Sequence, residues 1–154
     1  MDVQLGAKLI FKLSVDCDPG KEVGMLDGGF LTAIPITGGT FEGDGLNGEG
    51  IRGKVLCGGA DWNTRFGPNP PEETEASHVF AKYLIQTDDG VLIHIENGGY
   101  KSWKPGAQTK IITTPHFQVQ KDSKYAWLNY GVYVGTLESR EDHTGVEIQI
   151  FRMD

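Results

Sequence analysis

AKYLIQTDDGVLIHIEN, residues 81–97, is the stretch that decides the fold. Apolar and polar residues alternate on both sides of Asp88-Asp89-Gly90, which is typical of two half-buried strands joined by a tight turn. A three-residue turn with Gly90 at the position of positive φ places Tyr83 opposite Ile95 and Ala81 opposite Asn97. The inward face then carries Ala81, Tyr83, Ile85, Val91, Ile93 and Ile95. A two-residue turn would shift the register by one and mix the faces, so the sequence predicts the three-residue hairpin.

Further strands are predicted on both sides of this hairpin, from alternation or from β-branched and aromatic composition. They cover residues 9–15, 30–36, 51–57, 125–137 and 146–150, with residues 138–144 joining the last two as a closing hairpin. Long loops are expected near 66–76 and 101–110, where proline, glycine and polar residues are frequent. Helical spacing of apolar residues is not sustained over three turns anywhere, so the pattern indicates an all-β protein.

Glycine accounts for 22 of the 154 residues, about twice its usual share. The glycines fall between apolar runs, as turns do, and inside several predicted strands, where they permit the bends that close a small sheet. The length suits one domain with its own core. We therefore expect residues 1–154 to form a single antiparallel β-barrel.

The net charge of −7 makes nucleic acid and anionic membrane surfaces poor partners. No stretch is long and apolar enough to suggest a signal peptide or a membrane span. The two cysteines, Cys17 and Cys57, are too few for a disulfide scaffold. These features predict a cytoplasmic protein with reduced thiols.

A carboxylate and an indole directly follow two glycines in the run Gly58-Gly59-Ala60-Asp61-Trp62. If the preceding strand ends at Cys57, the glycines place Asp61 near the barrel mouth. Beside an indole in a partly dry pocket its pKa would be raised, which suits general acid or base chemistry. The structural alternative is that Asp61 caps a turn and Trp62 plugs the barrel end.

Four more residues are candidates for binding a ligand. Trp127 and Asn129 share one face of the predicted strand 125–137, and a polar amide among aromatic residues needs a partner, either a ligand or the backbone. Tyr83 and Asn97 lie on the inward face of the predicted hairpin. Tyr83 could instead fill the core, and Asn97, followed by Gly98-Gly99, could simply begin a turn.

No metal or cofactor site is predicted. The four histidines are 16 or more residues apart in sequence, so no two of them have metal-ligand spacing. There is no Gly-x-Ser-x-Gly elbow, and Cys57 is expected to be a small buried apolar residue. The glycine-rich run 43–48 lacks the following helix that phosphate binding requires.

Four segments resemble the domain-of-unknown-function 3237 family. They are IPITGGTFEG at 34–43, GGADW at 58–62, YLIQTDDGVLIHIENGGY at 83–100 and YAWLNYGVYVG at 125–135. The resemblance covers most of the chain and implies a single antiparallel β-barrel, similar to lipocalin-like barrels and often self-associated. It implies no activity and no catalytic residue.

Three functions remain open from the sequence. The barrel could bind a small apolar or aromatic molecule in its interior. It could be a metal-free, cofactor-free isomerase, dehydratase or cyclase that uses Asp61 as general acid or base. It could also be a structural protein that self-associates, since Phe80, Leu84 and Leu92 form an outward apolar patch that a homodimer would cover.

Overall fold

The strands of the chain are ordered along one antiparallel sheet. The computed structural model describes residues 1–104 and 110–154. Its strands are β1 (Ala7–Cys17), β2 (Lys21–Leu26), β3 (Gly29–Gly43), β4 (Ile51–Val55), β5 (Ala60–Phe66), β6 (Ala76–Thr87), β7 (Leu92–Ser102), β8 (Ile111–Val119), β9 (Tyr133–Ser139) and β10 (Gly145–Met153). A 3₁₀ helix (Ala126–Tyr130) precedes β9. Within the described ranges, no helix has the length and apolar character needed to cross a membrane.

The sheet closes on itself because β1 pairs with both β10 and β3. The ring runs β1-β10-β9-β8-β7-β6-β4-β3, which makes a closed eight-stranded antiparallel barrel and confirms the predicted fold. The long strand β3 has two partners on each edge: β1 and β2 on one side, β4 and β5 on the other. Strands β4 and β5 therefore share one position of the barrel wall between β3 and β6, and each pairs with a different part of these two strands.

The hairpin β6–β7 has the predicted register. Tyr83 lies opposite Ile95 and Ala81 opposite Asn97. Gly90 adopts a φ of 90°, and its N–H donates to the carbonyl of Thr87 at 2.9 Å, as a three-residue turn requires. The pairing continues to Ala76 and Ser102, well beyond the predicted segment.

Several boundaries differ from the predictions. Residues 126–130 are a 3₁₀ helix rather than part of a strand over 125–137, and the strands β2, β5 and β8 were not predicted. The loop near 66–76 is confirmed for residues 67–75, whereas Lys101 and Ser102 belong to β7 and residues 105–109 of the second loop lie outside the described part. The closing hairpin β9–β10 around residues 138–144 is confirmed.

One end of the barrel is filled by aromatic side chains. Phe11 packs against Phe41 and Phe117 with ring centroids 5.8 Å apart in both pairs, and Phe117 meets the Tyr133 ring edge-on at 5.0 Å. The 3₁₀ helix adds buried Leu128 to the same cluster. The barrel therefore has a packed half, and the space for a ligand lies towards the other end.

Candidate functional site

A cavity of about 200 Å³ lies in the half of the barrel away from this aromatic cluster. Its walls come from the end of β1, the middle of β3, β5, β6, β7 and the starts or ends of β8, β9 and β10. Most of the lining is apolar, including Ile34, Ile36, Val79, Ile111, Leu137 and Ile148. Three polar lining residues, Asp61, Asn63 and Arg65, lie on β5, which forms the most polar wall of the cavity, and Cys17, Tyr83, Asn97 and Ser139 add polar groups from other strands.

Strand β5 supplies this wall through simple alternation. Successive side chains of a strand point to opposite faces, and Asp61, Asn63 and Arg65 all line the cavity. Trp62, between Asp61 and Asn63, is 46% exposed and lines an external groove with Leu84 and His94. The expected pairing of Asp61 and Trp62 in one pocket is therefore corrected: the two side chains lie on opposite sides of the barrel wall.

The two glycines before β5 let it continue where β4 ends. Gly58 has a φ of 107°, a conformation that side chains disfavour. A Cβ on Gly59 would lie 2.5 Å from the carbonyl oxygen of Lys82, so only glycine allows this close approach to β6. The glycines thus bring β5 against β6 and set the inward position of Asp61.

The Asp61 carboxyl is held in a largely dry environment. Burial raises its pKa to about 6, and the backbone N–H of Phe80, which donates to Oδ1 at 2.8 Å, partly opposes this rise. A carboxyl with this pKa can accept or give a proton near neutral pH, whereas an ordinary aspartate is ionised there. The geometry therefore provides a group suited to acid–base chemistry inside the cavity.

Two neighbouring groups in the same cavity are neutral at pH 7. Burial raises the pKa of the Tyr83 phenol, and the nearby Cys17 and Asp61 raise it further. Burial also raises the pKa of the Cys17 thiol, with the Asp61 charge as the next cause. These shifts place Asp61, Cys17 and Tyr83 close enough to interact electrostatically.

Two buried amide oxygens on the cavity wall lack a hydrogen bond. Oδ1 of Asn63 and Oδ1 of Asn97 have no partner within residues 1–104 and 110–154. Asn97 is only 2% exposed. Buried polar atoms in native proteins are nearly always hydrogen-bonded, so these two oxygens are open acceptors on residues that line the cavity.

Arg65 continues the polar wall beyond Asn63. Its guanidinium forms none of the salt bridges found in the described part of the chain. It lies on the same face as Asn63, opposite Phe30 on β3 and Ser77 on β6. The wall thus presents a carboxyl, an amide and a guanidinium at alternate positions of one strand.

Trp127 and Asn129 do not lie at this cavity. Both belong to the 3₁₀ helix, and Trp127 packs against the filled end of the core. The side-chain amide of Asn129 accepts from the N–H of Val119 and donates to its carbonyl, both at 2.9 Å. Asn129 therefore has the backbone-bonding role left open by the sequence, and the expectation that Trp127 and Asn129 bind a ligand in the barrel cavity is corrected.

The cavity combines predicted and unpredicted residues. Asp61, Tyr83 and Asn97 were singled out and come together, whereas Cys17, Asn63 and Arg65 were missed. Every second residue from Asp61 to Arg65 is polar and charged or amide-bearing, and this alternation could have identified Asn63 and Arg65. Cys57, expected to be buried, is exposed on the outer surface. Among the described side chains, no group of three or more His, Cys, Asp or Glu is placed to hold a metal ion.

Comparison with known proteins supports the fold over the whole chain. A UPF0311 protein of Rhodopseudomonas palustris (strain TIE-1) is 30% identical over 162 residues, covering 96% of this chain and 97% of its own. The crystal structure of a β-barrel-like protein from Acinetobacter baumannii AYE has a TM-score of 0.80 at 28% identity and covers 100% of this chain and 99% of its own. The crystal structure of an enzyme from Penicillium herquei has a TM-score of 0.71 at 20% identity, with 100% and 98% covered.

Residues 6–153 match the family described as "Protein of unknown function (DUF3237)". This match spans every strand of the barrel, including the β5 wall and the β6–β7 hairpin. It agrees with the resemblance carried by the four sequence segments, and with the UPF0311 relative over almost its full length. The chain therefore belongs to the DUF3237 family.

Proposed function

We propose that the protein binds a small, mainly apolar or aromatic molecule inside the barrel. The cavity beside Asp61 and Asn97 carries this proposal, since it joins apolar walls to a few convergent polar groups, the usual composition of a small-molecule site. An engineered apolar cavity of about 150 Å³ accepts benzene. At about 200 Å³ this one suits a single substituted ring.

A ligand that binds the folded state raises the melting temperature by mass action. We expect one or more single-ring compounds to stabilise the protein in a thermal-shift screen, and to move the backbone amide NMR signals of Asp61 and Asn97. Ala81→Leu fills the cavity and should abolish both effects. Ala60→Leu makes the same change on the outer face of β5 and should leave both intact.

The binding proposal is wrong if no compound of this size stabilises the protein or shifts those signals. It is also wrong if Ala81→Leu binds as well as the unaltered chain. In that case any stabilisation arises at the outer surface, and the groove beside Trp62 and Leu84 becomes its location.

A second candidate function is supported by the Asp61 carboxyl. Its pKa of about 6 would allow acid–base catalysis without a metal or cofactor, as in an isomerase, dehydratase or cyclase. The Penicillium herquei relative, described as an enzyme, supports only the view that this fold can accommodate catalysis.

Asp61→Asn separates the two candidates, because the amide keeps an oxygen for the Phe80 N–H but cannot transfer a proton. Incubation of each bound compound with the protein, followed by mass spectrometry and NMR, reports any isomer or dehydrated product. For an enzyme, Asp61→Asn should keep the fold and binding and lower turnover about 10²- to 10⁴-fold. Equal turnover in the variant and the unaltered protein would show that Asp61 takes no part in the reaction.

A further inference from the structure

The polar groups used here lie on two strands: Asp61, Asn63 and Arg65 alternate along β5, and Asn97 on β7 lies at the level of Asp61, because both pair with Ala81 of β6. Asn63 Oδ1 and Asn97 Oδ1 are buried acceptors without a partner among the described residues. Asp61 adds a carboxyl whose Oδ1 already accepts from Phe80. A ligand that satisfies this region must bring hydrogen-bond donors, since an acceptor on the ligand would leave both amide oxygens unsatisfied.

Arg65 lies on the side of Asn63 away from Asp61, and there the ligand must supply a hydrogen-bond acceptor or a negative charge. Residues two apart on a strand are about 7 Å apart along it, so Asn63 lies between Asp61 and Arg65. A guanidinium offers a fork of N–H donors that matches a carboxylate in bidentate geometry. In a chain of net charge −7, a cation on the cavity wall without a salt-bridge partner in the described part creates a local attraction for an anion.

The space between these two regions is apolar and about the size of one ring. Val79 and Ala81 on β6 and Ile34 and Ile36 on β3 line the cavity on the two sides of β5, and the cavity volume is about 200 Å³. We infer that the ligand is a ring with a hydroxyl or similar donor at one end and a carboxylate at the other. This inference rests on the proposed binding function and adds the polarity and orientation of the ligand.

Four probes that differ only in these two groups test the inference: benzene, phenol, benzoate and 4-hydroxybenzoate. Dissociation constants come from NMR titration at pH 7.5, followed on the amides of Asp61 and Asn97. We expect 4-hydroxybenzoate to bind at least tenfold more tightly than phenol or benzoate, and each of these more tightly than benzene.

Variants assign each preference to its residue. Arg65→Gln should weaken benzoate and 4-hydroxybenzoate at least tenfold and leave phenol unchanged. Lys82→Gln, which removes the same charge from the outer face of β6, should change none of the four. Asn97→Leu removes one of the two open acceptors and should reduce the preference for phenol over benzene.

The outcomes distinguish this inference from the function on which it rests. If all four probes bind equally, the hydroxyl and carboxylate groups of the ring do not affect its affinity for the cavity. The inference is then overturned and the binding function stands. If Arg65→Gln and Lys82→Gln weaken benzoate equally, the carboxylate is not held by Arg65 and the inference is overturned. If none of the four binds although another single-ring compound does in the thermal-shift screen, the inference is overturned and the binding function stands; if no single-ring compound binds, both are overturned. Should Asn97→Leu fail to fold, the probe ratios on the unaltered chain and on Arg65→Gln still decide.

Discussion

Replacement of Asp61 by asparagine should stabilise the protein by an amount that grows as the pH rises from the unfolded pKa of the carboxyl through its folded pKa. Burial raises the pKa from 3.8 to about 6 in the folded chain, so folding favours the protonated form. The stability that the protonated Asp61 carboxyl contributes is therefore fully present below the unfolded pKa, and it is lost as the pH rises through about 6. At about 1.36 kcal/mol for each tenfold change in proton affinity, the carboxylate costs about 3 kcal/mol at pH 8. Asparagine carries no charge and escapes this cost.

Urea and thermal unfolding of the two proteins at pH 5 and pH 8 measure the effect. At pH 8 we expect a gain of about 3 kcal/mol, or about 6 to 12 °C in melting temperature for a chain of this size. At pH 5 the gain should fall to about half. Asp27→Asn, in the exposed turn between β2 and β3, is the matched control and should change little. A gain that is independent of pH, or a loss at pH 8, would refute the assignment of a buried, destabilised carboxylate.

Two other features make measurable predictions. Gly59→Ala should destabilise by about 1 to 3 kcal/mol because its methyl group would meet the carbonyl of Lys82 at 2.5 Å. Gly28→Ala, with open space around its Cβ, should change urea unfolding far less, and equal effects would contradict the close-approach argument. The predicted homodimer requires a covered outer patch, where Leu84 and Leu92 are 40% and 49% exposed. The double change to glutamate should then halve the mass measured by light scattering, and an unaltered chain that is already monomeric would end that prediction.

The hairpin β6–β7 could be predicted to the residue because two independent signals agree there. Alternation fixes which side chains share a face, and Gly90 fixes the length of the turn. Tyr83 and Asn97 were placed inside the barrel on this basis, and they line the cavity. Where turn chemistry and side-chain pattern specify the same register, one sequence is enough.

The other half of the site was missed for physical reasons that the sequence conceals. Gly58-Gly59 reads as the end of a strand, although here it lets β5 continue beside β6, so the alternation of Asp61 and Asn63 was not followed. The run over 125–137 has strand-like composition, yet residues 126–130 form a 3₁₀ helix in which the side chain of Asn129 bonds the backbone of Val119. Such contacts between distant segments override local preference.

The division of the barrel into a solid half and a hollow half has a consequence for how this architecture can diversify. The aromatic rings around Phe117 and the closed ladder of strands supply cohesion that does not depend on the residues at the opposite mouth. Positions on the inner side of β5 can therefore be exchanged during evolution or in the laboratory without dismantling the scaffold. A repertoire of specificities could arise from Asn63 and Arg65 alone, on an otherwise unchanged frame.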